Sequence, residues 1–178
     1  MHRSAQGFTV VSGGQTGVDQ AGLRAARDRG LATGGWCPPG STCESGKIPG
    51  HFGLTPTPRE RADSAPDIPR SLRTEWNVRD SDGTLILLPA DLDIDPGTGW
   101  TRQCTNRYDK PLLVCDPRSP STADRVRAWL VRHRIRVLNV AGPSESRAPG
   151  IGAATYATLY AAFSTASNSG HDDPSGNG

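Results

Sequence analysis

Lysine is almost missing from this chain of 178 residues. Only Lys47 and Lys110 occur, within a basic total of 20. The other basic residues are scattered arginines, and the net charge is +2. That leaves no stripe of the kind that tracks a phosphate backbone, so no nucleic-acid partner is expected. No run approaches the roughly 18 apolar residues of a membrane helix, and none follows a basic start as in a secretory leader. No membrane partner is expected either. There is no Cys-x-x-Cys pair. Cys37, Cys43, Cys104 and Cys115 lack the usual zinc-ligand spacings. Such unpaired thiols suit a reducing compartment, so the expected location is cytoplasmic. His51 and His133 have no partner at a telling spacing, and no Ser/His/Asp or Cys/His arrangement can be assigned.

Turn formers are plentiful: 21 Gly and 15 Pro, beside a hydrophobic share of 34%. Together with the length, this predicts one loop-rich globular domain over residues 1–166. Residues 167–178 are Ser, Asn, Gly, Asp, His and Pro, and are expected to be a disordered tail.

The β-rich run at residues 8–12 reads as a buried strand. A glycine turn and a helix follow it. Val18, Ala21, Gly22, Ala25 and Ala26 share one face of that helix, and their small size predicts close packing on a sheet. Thr16 and Asp19 have capping-box spacing, and Gly30 is a helix stop. Residues 31–37 read as a second strand ending in Trp36. Residues 38–70 read as a long irregular loop. Residues 71–80 have helix content, with Leu72 and Trp76 on one face. Residues 83–88 form the best strand, continuously apolar as in a sheet covered on both faces. Strands are also expected at 111–115 and 136–140. Helices are expected after the turn at 93–101, from Ser119-Pro120 as cap and first turn, and after the turn at 141–150. Alternating strands and helices define an α/β fold, a parallel sheet with right-handed crossovers and helices on both faces. Ligands in such sheets bind beyond the carboxyl ends of the strands. Three turns rich in Gly or Pro fall there, so one shared pocket is expected.

The first turn carries Gly13, Gly14, Gln15, Thr16 and Gly17. It has neither a Walker ending nor the GxGxxG spacing. Glycines still let amides converge, a helix N-terminus adds partial positive charge, and Thr16 can donate a hydroxyl. The pattern fits an anion cradle or a turn without a ligand. Asp19 reads as a helix cap or a contact to a sugar or pterin edge. Asp80, Ser81 and Asp82 could bind Mg²⁺ or do acid–base work, or make turn hydrogen bonds at the start of the best strand. Gly97, Thr98 and Thr101 can form a second cradle of amides and hydroxyls. Trp36 reads as a stacking platform or as core, Trp76 and Trp129 as core.

The segments SGGQTGVDQAGL, GGWCPPG, RTEWNVRDSDGTLIL and LNVAGPSES together resemble the molybdenum carrier (molybdenum cofactor carrier protein) family. That family sits within a wider Rossmann-like group that includes the LOG-type phosphoribohydrolases. The resemblance runs over residues 8–151. It implies a Rossmann-like domain, a homo-oligomer (dimer or tetramer), and a pocket for the pterin-type molybdenum cofactor. The cofactor phosphate would lie at the first turn. The pterin would meet amides and hydroxyls of the other turns, Gly142 and Pro143 included. The resemblance implies a carrier that catalyses nothing, with molybdoenzymes or cofactor-insertion proteins as partners. The alternative is a LOG-type protein that binds or hydrolyses a nucleotide through its phosphate. Three basic positions of the family pattern are Pro39, Ser41 and Ser144 here, and Arg147 is the nearest basic replacement. The glutamate that LOG-type enzymes carry in the second turn has no counterpart, since Arg102 and Gln103 follow Thr101.

Overall fold

A computed structural model of the chain describes residues 7–165. The tail expected at 167–178 lies outside the described residues. The β-branched stretch Thr9–Val11 is strand β1, and helix α1 (Val18–Asp28) follows the glycine turn. Strand β2 (Ala32–Gly34) returns parallel to β1. The expected strand at 31–37 breaks at Gly35, whose φ is 121° and whose added Cβ would lie 2.6 Å from the Ser12 carbonyl. Beyond that kink, β3 (Trp36–Cys37) leaves the main sheet and pairs with β6 (Thr55–Pro56).

Between β3 and β6 the expected irregular loop is largely built. It holds a hairpin of β4 (Thr42–Cys43) and β5 (Gly46–Lys47) and a 3-10 turn at Gly50–Phe52. Cys37, Cys43, Ile48, Phe52 and Leu23 bury together beneath it. Helix α2 (Ser71–Arg79) leads to β7 (Gly83–Leu87), every residue of which is buried. Helix α3 (Pro96–Arg107), β8 (Leu112–Cys115), α4 (Thr122–Arg132), β9 (Val137–Ala141) and α5 (Ile151–Ala162) complete the order. Helix α4 starts two residues later than Ser119-Pro120 suggests. Thr122 is drawn to Asp116, whose carbonyl accepts its hydroxyl.

The main sheet is five-stranded and parallel, in the order β2-β1-β9-β7-β8. Val18, Ala25, Ala26, Val126, Trp129, Ile151 and Leu159 from α1, α4 and α5 pack with Val10, Leu85 and Leu138 of the sheet. Leu72 and Val78 of α2 and Trp100 and Cys104 of α3 form a separate cluster, which places these helices on the other face. The close packing expected of α1 is present: a Cβ on Gly22 would come within 2.9 Å of Val140. From β1 the chain crosses toward β2, and from β7 it crosses the opposite way toward β8. Strand β9 lies between, at the reversal where α/β sheets bind ligands.

Candidate functional site

Three turns leave the carboxyl ends of β1, β7 and β9, and they meet at Gly142. A Cβ there would lie 2.4 Å from the Leu87 carbonyl and 2.7 Å from Val18. Gly17 makes a second close approach. Its φ is 79°, and a Cβ would sit 2.6 Å from the carbonyl of Pro143, which also accepts the Val18 N–H at 3.2 Å. Only glycine allows both the left-handed conformation and the contact. Ser12 completes the junction by donating its hydroxyl to the Val140 carbonyl at 2.6 Å.

In the first turn, the expected capping box between Thr16 and Asp19 does not form. Gly17 is the N-cap of α1 and no side chain caps it. Asp19 instead points back, accepts the Gln15 N–H at 3.2 Å, and faces the Arg73 guanidinium at 3.4 Å. Its side chain is 3% exposed. Burial pushes the Asp19 carboxyl above its ordinary value, and Arg73 chiefly opposes that rise.

Arg73 was not singled out by sequence, because nothing local marks an arginine inside α2 as facing a turn some sixty residues earlier. It lies directly over Gly13: a Cβ on Gly13 would overlap its guanidinium at 1.8 Å. The Arg73 Nε is buried without a hydrogen-bond partner. Among the described residues, the buried amides of Gly13 and Gly14 have no acceptor either. Buried donors without acceptors are costly, and here they are gathered at one place. Asn77, one helical turn beyond Arg73, fixes the orientation of α2. It accepts the Trp36 N–H at 2.8 Å and donates to the Trp36 carbonyl at 2.9 Å.

The second turn is organised differently. Gly97, Thr98 and Thr101 belong to the first turns of α3 rather than to a loop. Asp95 caps that helix and accepts the Thr98 N–H at 2.8 Å, while Thr101 donates its hydroxyl to the Gly97 carbonyl at 2.9 Å. Arg147 does not replace the missing basic rim. It is held to Asp95 at 3.3 Å and to the Asp93 carbonyl at 2.8 Å.

The remaining candidates are tied to partners outside the three turns. The Asp82 carboxylate accepts the N–H groups of Arg136 and Val137 at the start of β9. The Ser81 hydroxyl donates to the Val78 carbonyl. Asp80 accepts the Trp36 indole N–H at 2.8 Å and pairs with Arg79, whose hydrogen bonds hold its carboxyl below the usual range. The Trp36 ring packs edge-on against Trp76 at 4.8 Å.

Two open depressions lie at this end of the sheet among the described residues. One open depression of about 500 Å³ lies between the first and third turns, lined by Thr16, Gly17, Gln20, Arg24, Glu44 and Ser146 among others. Another, of about 430 Å³, lies between Pro89 and Leu92 of the loop after β7 and Ile151 of α5. Among the described residues, no group of three or more His, Cys, Asp or Glu is placed to hold a metal ion. No helix among them is long and apolar enough to cross a membrane.

A parallel sheet with covering helices, and glycine turns pinched together at its reversal, define a Rossmann-like α/β domain. The chain belongs to the circularly permutated YpsA SLOG family, whose sequence pattern it matches over residues 10–163. It is similar to the "Putative molybdenum carrier protein" of Syntrophus aciditrophicus, known from a crystal structure at 1.45 Å resolution. The identity is 36% and the TM-score 0.75, over 89% of this chain and 95% of that one. No curated protein matches the chain.

Proposed function

We propose that this protein binds a phosphate-bearing small molecule at the first turn, and that it acts as a carrier of the pterin-type molybdenum cofactor. One observation carries this reading. The unpartnered Nε of Arg73 and the free amides of Gly13 and Gly14 collect at a helix start. An oxyanion is the group that satisfies such a set. The phosphate end of the cofactor fits it, and the similarity to a protein named as a molybdenum carrier supports the choice of cargo. When bound, the cofactor brings its own dithiolene ligands to molybdenum. This chain supplies the donors for the phosphate, with Asp19 orienting Arg73 and Gly17 admitting the third turn.

Purified protein mixed with isolated cofactor is expected to retain it on gel filtration and slow its oxidation. Failure to retain it removes the carrier reading. The same donors suit a nucleotide phosphate. Release of free base from nucleoside monophosphates would replace a carrier by a hydrolase. A homo-oligomer, dimer or tetramer, and handover to molybdoenzymes or insertion proteins belong to the carrier reading. Sedimentation of the purified chain tests the assembly.

A further inference from the structure

Glu44 stands at the turn of the β4–β5 hairpin and reaches across the depression between the first and third turns. Its carboxylate accepts the Thr16 hydroxyl, the Ser146 hydroxyl, and the Ser146 N–H at 3.1 Å. Those bonds hold its carboxyl below the ordinary value, Ser146 contributing most. Thr16 can spend its hydrogen on Glu44 because its oxygen already accepts the Glu145 N–H at 3.3 Å. No cation forms an ion pair with Glu44 among the described residues. The acid is held by neutral donors contributed by two separate loops. That donor set is indifferent to which oxyanion it holds.

The surroundings admit an anion. The Glu145 carboxylate is turned away, onto the amides of Gly150 at 2.6 Å and Gly152 at 2.9 Å. Arg24 lines the same depression and has no ion pair among the described residues. The hairpin has two residues in each strand and depends on tethers, since so short a ribbon is marginal alone. Besides Glu44, its tip is held by the Glu44 N–H donating to the Gln15 side chain at 3.0 Å. Just beyond β5, Ile48 joins Leu54 in covering Gly14: a Cβ there would lie 2.8 Å from one and 2.6 Å from the other.

We propose that Thr16 and Ser146 form a second oxyanion position, that the Glu44 carboxylate is its built-in occupant, and that an entering phosphate group displaces Glu44 and loosens the hairpin over the first turn. This deepens the phosphate-binding reading and rests on it. The probe is inorganic phosphate, titrated calorimetrically into the full chain. Glu44→Ala is expected to bind it about tenfold more tightly, because the internal competitor no longer holds the seat. Adding Thr16→Val is expected to abolish that gain. In the wild type, phosphate is expected to speed amide exchange over residues 42–47. Should Glu44→Ala fold poorly, Glu44→Gln is expected to shift affinity the same way by less.

Two results overturn the proposal. One is unchanged affinity in both Glu44 variants with unchanged exchange over 42–47. The other is a gain that survives Thr16→Val, which would reduce the effect to removal of a nearby charge. Arg73→Met separates the two readings. If it abolishes phosphate binding while Glu44→Ala brings no gain, the first-turn site stands and the latch falls. If Glu44→Ala gains and Arg73→Met changes nothing, the latch stands and the first-turn site falls.

Discussion

At the first turn, Gly13 and Gly14 keep their amides free and a guanidinium from a distant helix lies over them. At the second, an aspartate three residues before Thr98 consumes its amide, and Thr101 bonds within its own helix. Both stretches place glycines and threonines at the start of a helix, before α1 in one case and in the first turns of α3 in the other. The difference lies in where the acid stands. Asp95 precedes its helix and caps it. Asp19 lies inside α1, accepts the Gln15 N–H rather than a glycine amide, and leaves the glycine amides unpaired. On the proposed reading, a glycine-threonine turn serves as an anion seat only where its own carboxylate does not fill it.

The comparison breaks most visibly at the glycines. Gly17→Ala is expected to cost about 2–4 kcal/mol, combining the left-handed backbone with overlap on the third turn. Equilibrium urea unfolding measures it, and a neutral result would show the turns are not pinched together. Arg73→Met is expected to weaken inorganic phosphate binding about ten- to hundredfold, the worth of charge-assisted bonds, in a calorimetric titration. The same variant carries a pH signature. Burial raises the Asp19 carboxyl above its unfolded value, so its favourable contribution belongs to the protonated form. That contribution is full below the unfolded value and is lost as pH rises through the folded value. Arg73→Met removes the main opposing charge, so its deficit in thermal midpoint should be larger at neutral pH than near pH 4. An equal deficit at both would remove the coupling between Asp19 and Arg73.

At the second turn, Asp95→Ala is expected to destabilise by about 1 kcal/mol through loss of the cap. Phosphate binding at the first turn should stay unchanged, since Asp95 bonds to the Thr98 amide and Arg147 and to none of the first-turn donors; a large loss of binding would make the two turns functional equals. Smallest is Gly99→Ala. No atom lies within 4 Å of its added Cβ and its φ is not positive, so about 0.5–1 kcal/mol of stabilisation is expected in the same unfolding experiment.

Much of the framework was legible because periodicity is local. The apolar run at β7, the small-residue face of α1 and the final helix all follow from spacings within a dozen residues. The break at Gly35 was not legible, because it comes from the approach of Ser12, a contact that requires the sheet to exist. The capping box was misread for a related reason. Its spacing is present, but the partly buried Arg73 competes for the same carboxylate. The helix start at Ser119-Pro120 slipped by two residues, since Asp116 offers Thr122 a better partner than the cap offers.

The sequence by itself determined an α/β chain with glycine turns at the carboxyl ends of its strands, since both signals are short-range. Only the tertiary structure decided what those turns can hold. Arg73 comes to Gly13 across sixty residues, Glu44 to Ser146 across a hundred, and Arg147 goes to Asp95 instead of a ligand rim. Charge over a turn depends on which helix packs beside it, and packing is settled by the whole core rather than by any one stretch of chain.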